Sequence, residues 1–179
     1  MPRPNPLLSE ILEALHPEKP QKVEVHFRGV QWVFQTSYSN KLEEWATRKV
    51  PPSASTAISF SSARRIPEMA ASTVTINGRD LRTIFADDLQ QSLGRTITQI
   101  KERSDLQEDE KTEAIEDLVQ QTSLDLLCRW MDDTFSGDMV SELYRLYLEK
   151  VKTPAEKKAA DFFGSSEGTP PIPTTPQTT

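Results

Sequence analysis

Apolar residues recur along this chain at two spacings, and the switches between them divide it into parts. Leu7, Leu8, Ile11, Leu12 and Leu15 repeat at helical spacing, with Pro6 suited to a first turn and Pro17 ending the run. That pattern predicts a short amphipathic helix over residues 6–15. From Lys22 the period drops to two. Val23, Val25 and Phe27 alternate with Glu24 and His26; beyond Arg28-Gly29, Val30, Trp32 and Phe34 alternate with Gln31, Val33 and Gln35. Two such segments around a glycine predict a β-hairpin over 22–37 with one face buried. That face carries Phe27, Trp32 and Phe34, each stabilising the fold by roughly 1.5–3 kcal/mol once buried.

The helical period returns at residue 40. Asn40-Lys-Leu-Glu43 has the form of a capping box, and the helix it opens should reach Arg48 with Leu42, Trp45 and Ala46 facing inward. Pro51-Pro52 ends it, and the Ser-, Ala- and Thr-rich stretch 53–62 is expected as a loop. A second helical stretch, Ser61–Ser72, contains Pro67, which should start a new turn or kink the helix. Thr73-Val-Thr-Ile76 is β-branched throughout and meets Asn77-Gly78, the commonest source of two positive φ angles in a tight turn. From Asp87 onward the chain is helical in period. Leu89, Leu93, Ile97 and Ile100 form one stripe, and Ser104–Glu108 marks a break and a new start. Ile115, Leu118, Val119, Leu126, Leu127, Trp130 and Met131 form a wide apolar face. After Ser136-Gly-Asp138, Met139, Val140, Leu143, Leu146, Tyr147 and Val151 make a last helix.

These patterns predict an α+β fold, with an N-terminal β-hairpin packed on helices and an all-α C-terminal half. Residues 1–21 form an N-terminal helix and Pro-rich lead, 22–86 a mixed α/β part with the hairpin, and 87–153 a helical part. Residues 154–179 are expected as a disordered tail. Gly164–Thr179 is rich in Pro and Thr and has Ile172 as its one large apolar residue, too little to offset the entropy of ordering.

Composition narrows the function classes. The net charge is −6, which argues against a general nucleic-acid binder and against docking on an anionic membrane. No apolar run approaches the ~20 residues a bilayer span needs, and no stretch of signal-peptide type follows Arg3. A single cysteine, Cys128, fits a reducing cytoplasm. Residues 1–65 carry a net +3 and residues 66–179 a net −9, so the halves could attract each other or present opposite faces to partners.

Candidate chemistry is sparse. His16 and His26 are the two histidines, and neither lies near Cys128 in a metal-binding spacing. All six glycines are isolated, so no phosphate-cradling loop is present. The pairs Asp87-Asp88 and Asp132-Asp133 are adjacent on helices, where neighbours point about 100° apart and rarely chelate together. They read as surface charges, with Asp87-Asp88 also favourable to a helix N-terminus. No catalytic residue, cofactor or metal is expected, and the chain reads as a non-enzyme.

The order of parts carries a family resemblance. Phe27-Arg-Gly29-Val-Gln-Trp32-Val-Phe34 fits the hairpin pattern F-x-G-x-x-W/Y-x-F. A short helix bearing Trp45 follows, then an alanine-containing helix from Ala63 to Ala71. Ala70, Ser72, Val74, Ile76, Asn77, Gly78 and Leu81 fit A-x-S-x-V/T-x-I-N/D-G-x-x-L, with Phe85 as the aromatic that follows. Leu143-Tyr144 and Leu146-Tyr147 stand where a closing helix ends. This layout, over about residues 22–150, resembles bacteriophage tail assembly chaperones, including baseplate-hub assembly proteins. The helical stretch between Phe85 and Trp130 is longer than the family's usual version, and Pro67 departs from its alanine helix.

The resemblance implies a non-catalytic chaperone or scaffold in the host cytoplasm that binds an unassembled phage tail, tape-measure or hub protein. A minor structural protein of the virion, as a hub or adaptor, is the alternative, and an unrelated cytoplasmic interaction protein a further one. The expected partner surface lies on the last helix at Leu143, Tyr144, Tyr147 and Leu148. Leu143, Leu146 and Tyr147 already fill one stripe, and Tyr144 and Leu148 widen it beyond what one neighbour would cover. Tyrosine also suits interfaces, because its ring adds contact area while its hydroxyl tolerates water. The competing expectation is that two neighbouring helices bury both sides of this helix.

Overall fold

Alternating side chains between Lys22 and Gln35 do form a hairpin. In the computed structural model, which describes residues 20–151, strand β1 (Lys22–Phe27) runs antiparallel to β2 (Val30–Gln35). Phe27 pairs with Val30, so Arg28 and Gly29 are the whole loop, at φ 49° and 80°. Two positive φ angles match the twist of the strands, and glycine supplies the second without a Cβ clash. The helix expected over 6–15 and the tail expected over 154–179 lie outside the described residues.

The architecture is α+β. Strands β3 (Thr73–Ile76) and β4 (Arg79–Asp80) complete an antiparallel sheet of order β1-β2-β3-β4. Strand β3 joins β2 with Trp32 opposite Ile76 and a register shift between Val33 and Phe34. Asn77 and Gly78 form the second two-residue turn, at φ 49° and 73°. Asn77 also fastens the sheet: its N–H donates to the Gln31 carbonyl at 2.7 Å, and its Oδ1 accepts from the Gln31 N–H at 2.8 Å. Asn77→Ala removes that side-chain acceptor and puts a Cβ residue without local compensation at positive φ. It is expected to lower the unfolding free energy by about 1–2 kcal/mol in urea titration, and Asn77→Gly by less, because only the bond is lost.

Among the described residues, six helices pack around the sheet: α1 (Asn40–Arg48), α2 (Ala57–Ser72), α3 (Leu81–Ile84), α4 (Ala86–Glu102), α5 (Glu108–Thr134) and α6 (Gly137–Val151). Three starts and turns differ from expectation. Helix α1 is capped by Ser39, whose Oγ accepts from the Leu42 N–H at 3.4 Å, and not by Asn40. The Glu43 carboxylate that a capping box would use pairs instead with Arg64 of α2. Helix α2 begins at Ala57, inside the stretch expected as loop. Thr56 and Ser59 cap it reciprocally, Thr56 Oγ1 accepting from the Ser59 N–H and Ser59 Oγ from the Thr56 N–H, each at 3.1 Å. Pro67 does not divide this helix. It sits within α2 at the start of a fully buried run, Pro67–Ser72. A mid-helix proline costs about 3 kcal/mol or more, and the burial of Met69, Ala70 and Ala71 in the turn that follows works against that cost. The expected break near Ser104–Glu108 is present, with the Gln107 N–H donating to Glu110 Oε2 at 2.8 Å.

One core joins the parts 22–86 and 87–153. Val25, Phe27, Trp32, Phe34 and Ile76 from the sheet meet Met69 of α2, Leu127 and Met131 of α5, and Leu143, Tyr147 and Val151 of α6. The Trp32 and Phe34 rings stack at 5.8 Å, and Tyr147 meets Phe34 edge-on at 5.1 Å. Helix α1 is tied to α5 through Asp125, which accepts from Trp45 Nε1 at 3.1 Å and pairs with Lys49 at 2.6 Å. No helix among the described residues is long and apolar enough to cross a membrane.

Candidate functional site

The last helix does not present the expected four-residue surface in this structure. Leu143 and Tyr147 are 0% exposed, because α6 is covered by α2 on one side and by β1 and β2 on the other. Leu148 packs half-buried against the same core. Tyr144 is half-buried too, and its hydroxyl donates to Glu68 Oε2 at 3.0 Å. Burial, and then the Glu68 charge, push its phenol pKa well above the ordinary tyrosine value. Both sides of α6 are therefore covered, as the competing expectation required, although one of the two neighbours is the sheet and not a second helix. The excess apolar width of α6 closes a polar seam instead of opening a surface.

That seam is made of charges. Glu68, 8% exposed, lies between Tyr144 and Arg64, whose Nε is 4.0 Å from its Oε2. Arg64 also pairs with Glu43, linking α1 to α2. Arg65 turns the other way along α2. Its guanidinium lies over the Tyr144 ring at 5.6 Å, and Nη1 donates to Ser141 Oγ at 3.1 Å. Its Nε is buried with no hydrogen-bond partner among the described residues.

Arg65 also borders a cleft of about 420 Å³ between α2 and the corner joining α5 to α6. Ile66, Phe135 and Val140 give it an apolar floor, and Ser62, Ser141 and Asp132 a polar rim. Ile58, Ser62, Arg65 and Ile66 fall at i, i+4, i+7 and i+8, so they share one face of α2. Ile58, on that face, is 51% exposed. Trp130 stands beside Phe135 at 5.4 Å between ring centres, is 37% exposed, and has Trp32 behind it at 6.3 Å. Trp130 thus adjoins the cleft through its contact with Phe135, and Ile58 lies on the face of α2 that carries Ile66. Partial burial, and then Asp133, raise the Asp132 carboxyl pKa above the usual range. An exposed aromatic and a half-buried arginine beside an apolar floor are side chains of the kinds that protein partners use as anchors.

A second cleft, of about 390 Å³, opens on the other side at the end of the sheet. Leu42, Val74, Leu81 and Leu124 lie at its base, with Gln35, Gln120 and Arg82 on its rim.

His26 is exposed on β1, and among the described residues no group of three or more His, Cys, Asp or Glu is placed to hold a metal ion. The Cys128 thiol is pushed up to about 12 by burial, and by Asp125 and Asp132. A thiol held so high stays protonated at neutral pH and is a poor nucleophile.

Sequence reasoning placed Trp130 on the inward face of α5 and did not find the cleft. The available signal was Ile58, Ser62 and Ile66 at helical spacing, obscured because residues 53–62 read as loop. Comparison with protein-family models, with curated proteins and with solved structures found no match.

Proposed function

We propose that this chain is a non-catalytic assembly chaperone or scaffold that holds an unassembled phage tail, tape-measure or hub subunit in the host cytoplasm. The observation that supports the reading most is the pairing of its two motif stretches. Phe27–Phe34 and Ala70–Leu81 are far apart in sequence, yet Gln31 and Asn77 join them as neighbouring strands. The residues that carry the resemblance therefore form one structural unit. The client surface in this reading is the cleft between α2 and the α5–α6 corner, with Trp130 and Arg65 as its anchors.

Co-expression with each candidate tail, tape-measure and hub subunit tests the proposal. One subunit should become soluble and co-purify. A hot-spot tryptophan contributes about 2 kcal/mol or more, near 30-fold in affinity. Trp130→Ala should therefore weaken the complex by about that factor. Ile84→Ala is the matched control, since Ile84 is equally exposed at 37% but lies outside the cleft. If no subunit is held, the chaperone reading fails. If the chain is found by mass spectrometry in purified particles, it belongs to the virion instead.

A further inference from the structure

Strand β1 pairs with β2 on one side, and among the described residues its other side carries no strand. The phase of the hairpin decides which groups line that open side. In an antiparallel pair, residues that exchange both backbone bonds alternate with residues that exchange none. The Thr36 N–H donates to the Gln21 carbonyl at 2.9 Å, so Gln21, Val23, Val25 and Phe27 bond toward β2. Lys22, Glu24 and His26 therefore turn their N–H and C=O groups outward, and all three residues are exposed. The Glu24 carbonyl meets Lys150 Nζ at 3.5 Å, a long contact that a strand N–H at a normal distance can replace. We propose that this edge is an interface between two copies of the chain, β1 pairing antiparallel with β1 of the second copy about a two-fold axis at Val23. The inference is independent of the proposed function.

Charge selects both the occupant and the register. Pairing through the outward groups sets Lys22, Glu24 or His26 of one copy against one of the same three in the other, or against a residue an even number of places away. An axis at Glu24 sets that carboxylate against itself, and an axis at Val25 sets Lys22 against Arg28. Like charges directly opposite each other destabilise a sheet. An axis at Val23 sets Lys22 against Glu24 and, by symmetry, Glu24 against Lys22, so the strand is complementary to itself. A lysine on an edge usually wards off other strands. Here the second copy brings the acid that neutralises it.

Helix α6 adds an apolar margin to the same edge. Leu146 lies one turn before Lys150 on α6, and Met139 two turns before Leu146, so all three share one flank. Lys150 places that flank beside Glu24, and Glu142 pairs with Arg28 at the end of the strand. Leu146 and Met139 are half-buried at the rim of the core. A two-fold axis perpendicular to the sheet keeps both inner faces on one side. The two α6 helices then lie alongside each other, and each covers the other's exposed flank.

Sedimentation equilibrium of the full chain, from micromolar to submillimolar concentration, tests the interface. The wild-type chain should pass from monomer to dimer across that range. Lys22→Glu or Glu24→Lys alone sets like charges opposite each other twice and should raise the dissociation constant about ten-fold or more. Lys22→Glu with Glu24→Lys recreates both pairs in reverse and should restore the wild-type constant to within about three-fold. Both side chains are exposed, so circular dichroism should show all three variants folded as the wild type is. A wild-type chain that stays monomeric throughout would overturn the inference. So would a dimer that both single reversals leave unchanged, or one that the double reversal fails to restore in a folded chain.

Discussion

Trp32→Ala is expected to destabilise the fold by about 3–5 kcal/mol. Trp32 is 0% exposed, stacked on Phe34 at 5.8 Å and edge-on to Phe135 at 6.3 Å. Removing the indole leaves a cavity at the junction of the sheet with α5 and α6, which rigid neighbours on three sides cannot fill. Trp32→Phe should cost far less. Its ring keeps most of the contact, and the indole Nε1–H that it removes is buried with no hydrogen-bond partner among the described residues. Urea titration of both variants, with unchanged m-values, measures the difference. If Trp32→Ala kept full stability and lost a partner, the indole would be a recognition element and not part of the core.

Raising the pH from 9 to 12 should remove about 3 kcal/mol of stability through Cys128 alone. The thiol has a reference value of 9.0 and is pushed up to about 12 in the fold, first by burial and then by Asp125 and Asp132. Above pH 9 the unfolded chain releases this proton and the folded chain does not. The folded state then binds more protons, so stability falls as pH rises, by about 1.4 kcal/mol per unit until the folded thiol also ionises. Below pH 9 the contribution is fully present. Tyr144, raised by burial and by Glu68, adds a second fall that begins near pH 10, where an unfolded phenol ionises. Urea midpoints between pH 8 and 11 should therefore steepen in two stages. Cys128→Ala should flatten the first stage and leave the second. Parallel curves for the two proteins from pH 8 to 10 would refute the assignment.

The hairpin, the Asn77-Gly78 turn and the inward faces of α1 and α4 were legible because each depends on local repetition. A period of two puts Val25, Phe27, Trp32 and Phe34 on one side of a sheet wherever that sheet lies. Asn-Gly reaches two positive φ angles whatever surrounds it. Leu42, Trp45 and Ala46, and Leu89 and Leu93, are buried as their spacing requires. The choice between β2 and another partner for Thr73–Ile76 was not legible. Strand pairing is a long-range contact, decided here by Trp32 opposite Ile76 and by the Asn77–Gln31 bonds.

The site depended still more on tertiary contacts. Spacing correctly made the stripe on α6 too wide for one neighbour. It could not tell an open surface from a second neighbour, and α2 is that neighbour, with Glu68 meeting Tyr144 across 76 positions of chain. The Glu43 carboxylate could cap its own helix or reach Arg64, and a charged partner outcompetes a backbone N–H. Trp130 reads as inward on α5 because apolar side chains surround it in period, yet the helix is rotated to bury Leu124, Leu127 and Met131. Periodicity along one element determines which residues share a face. What that face meets, and which apolar groups remain outside, is decided by packing among elements that are distant in sequence.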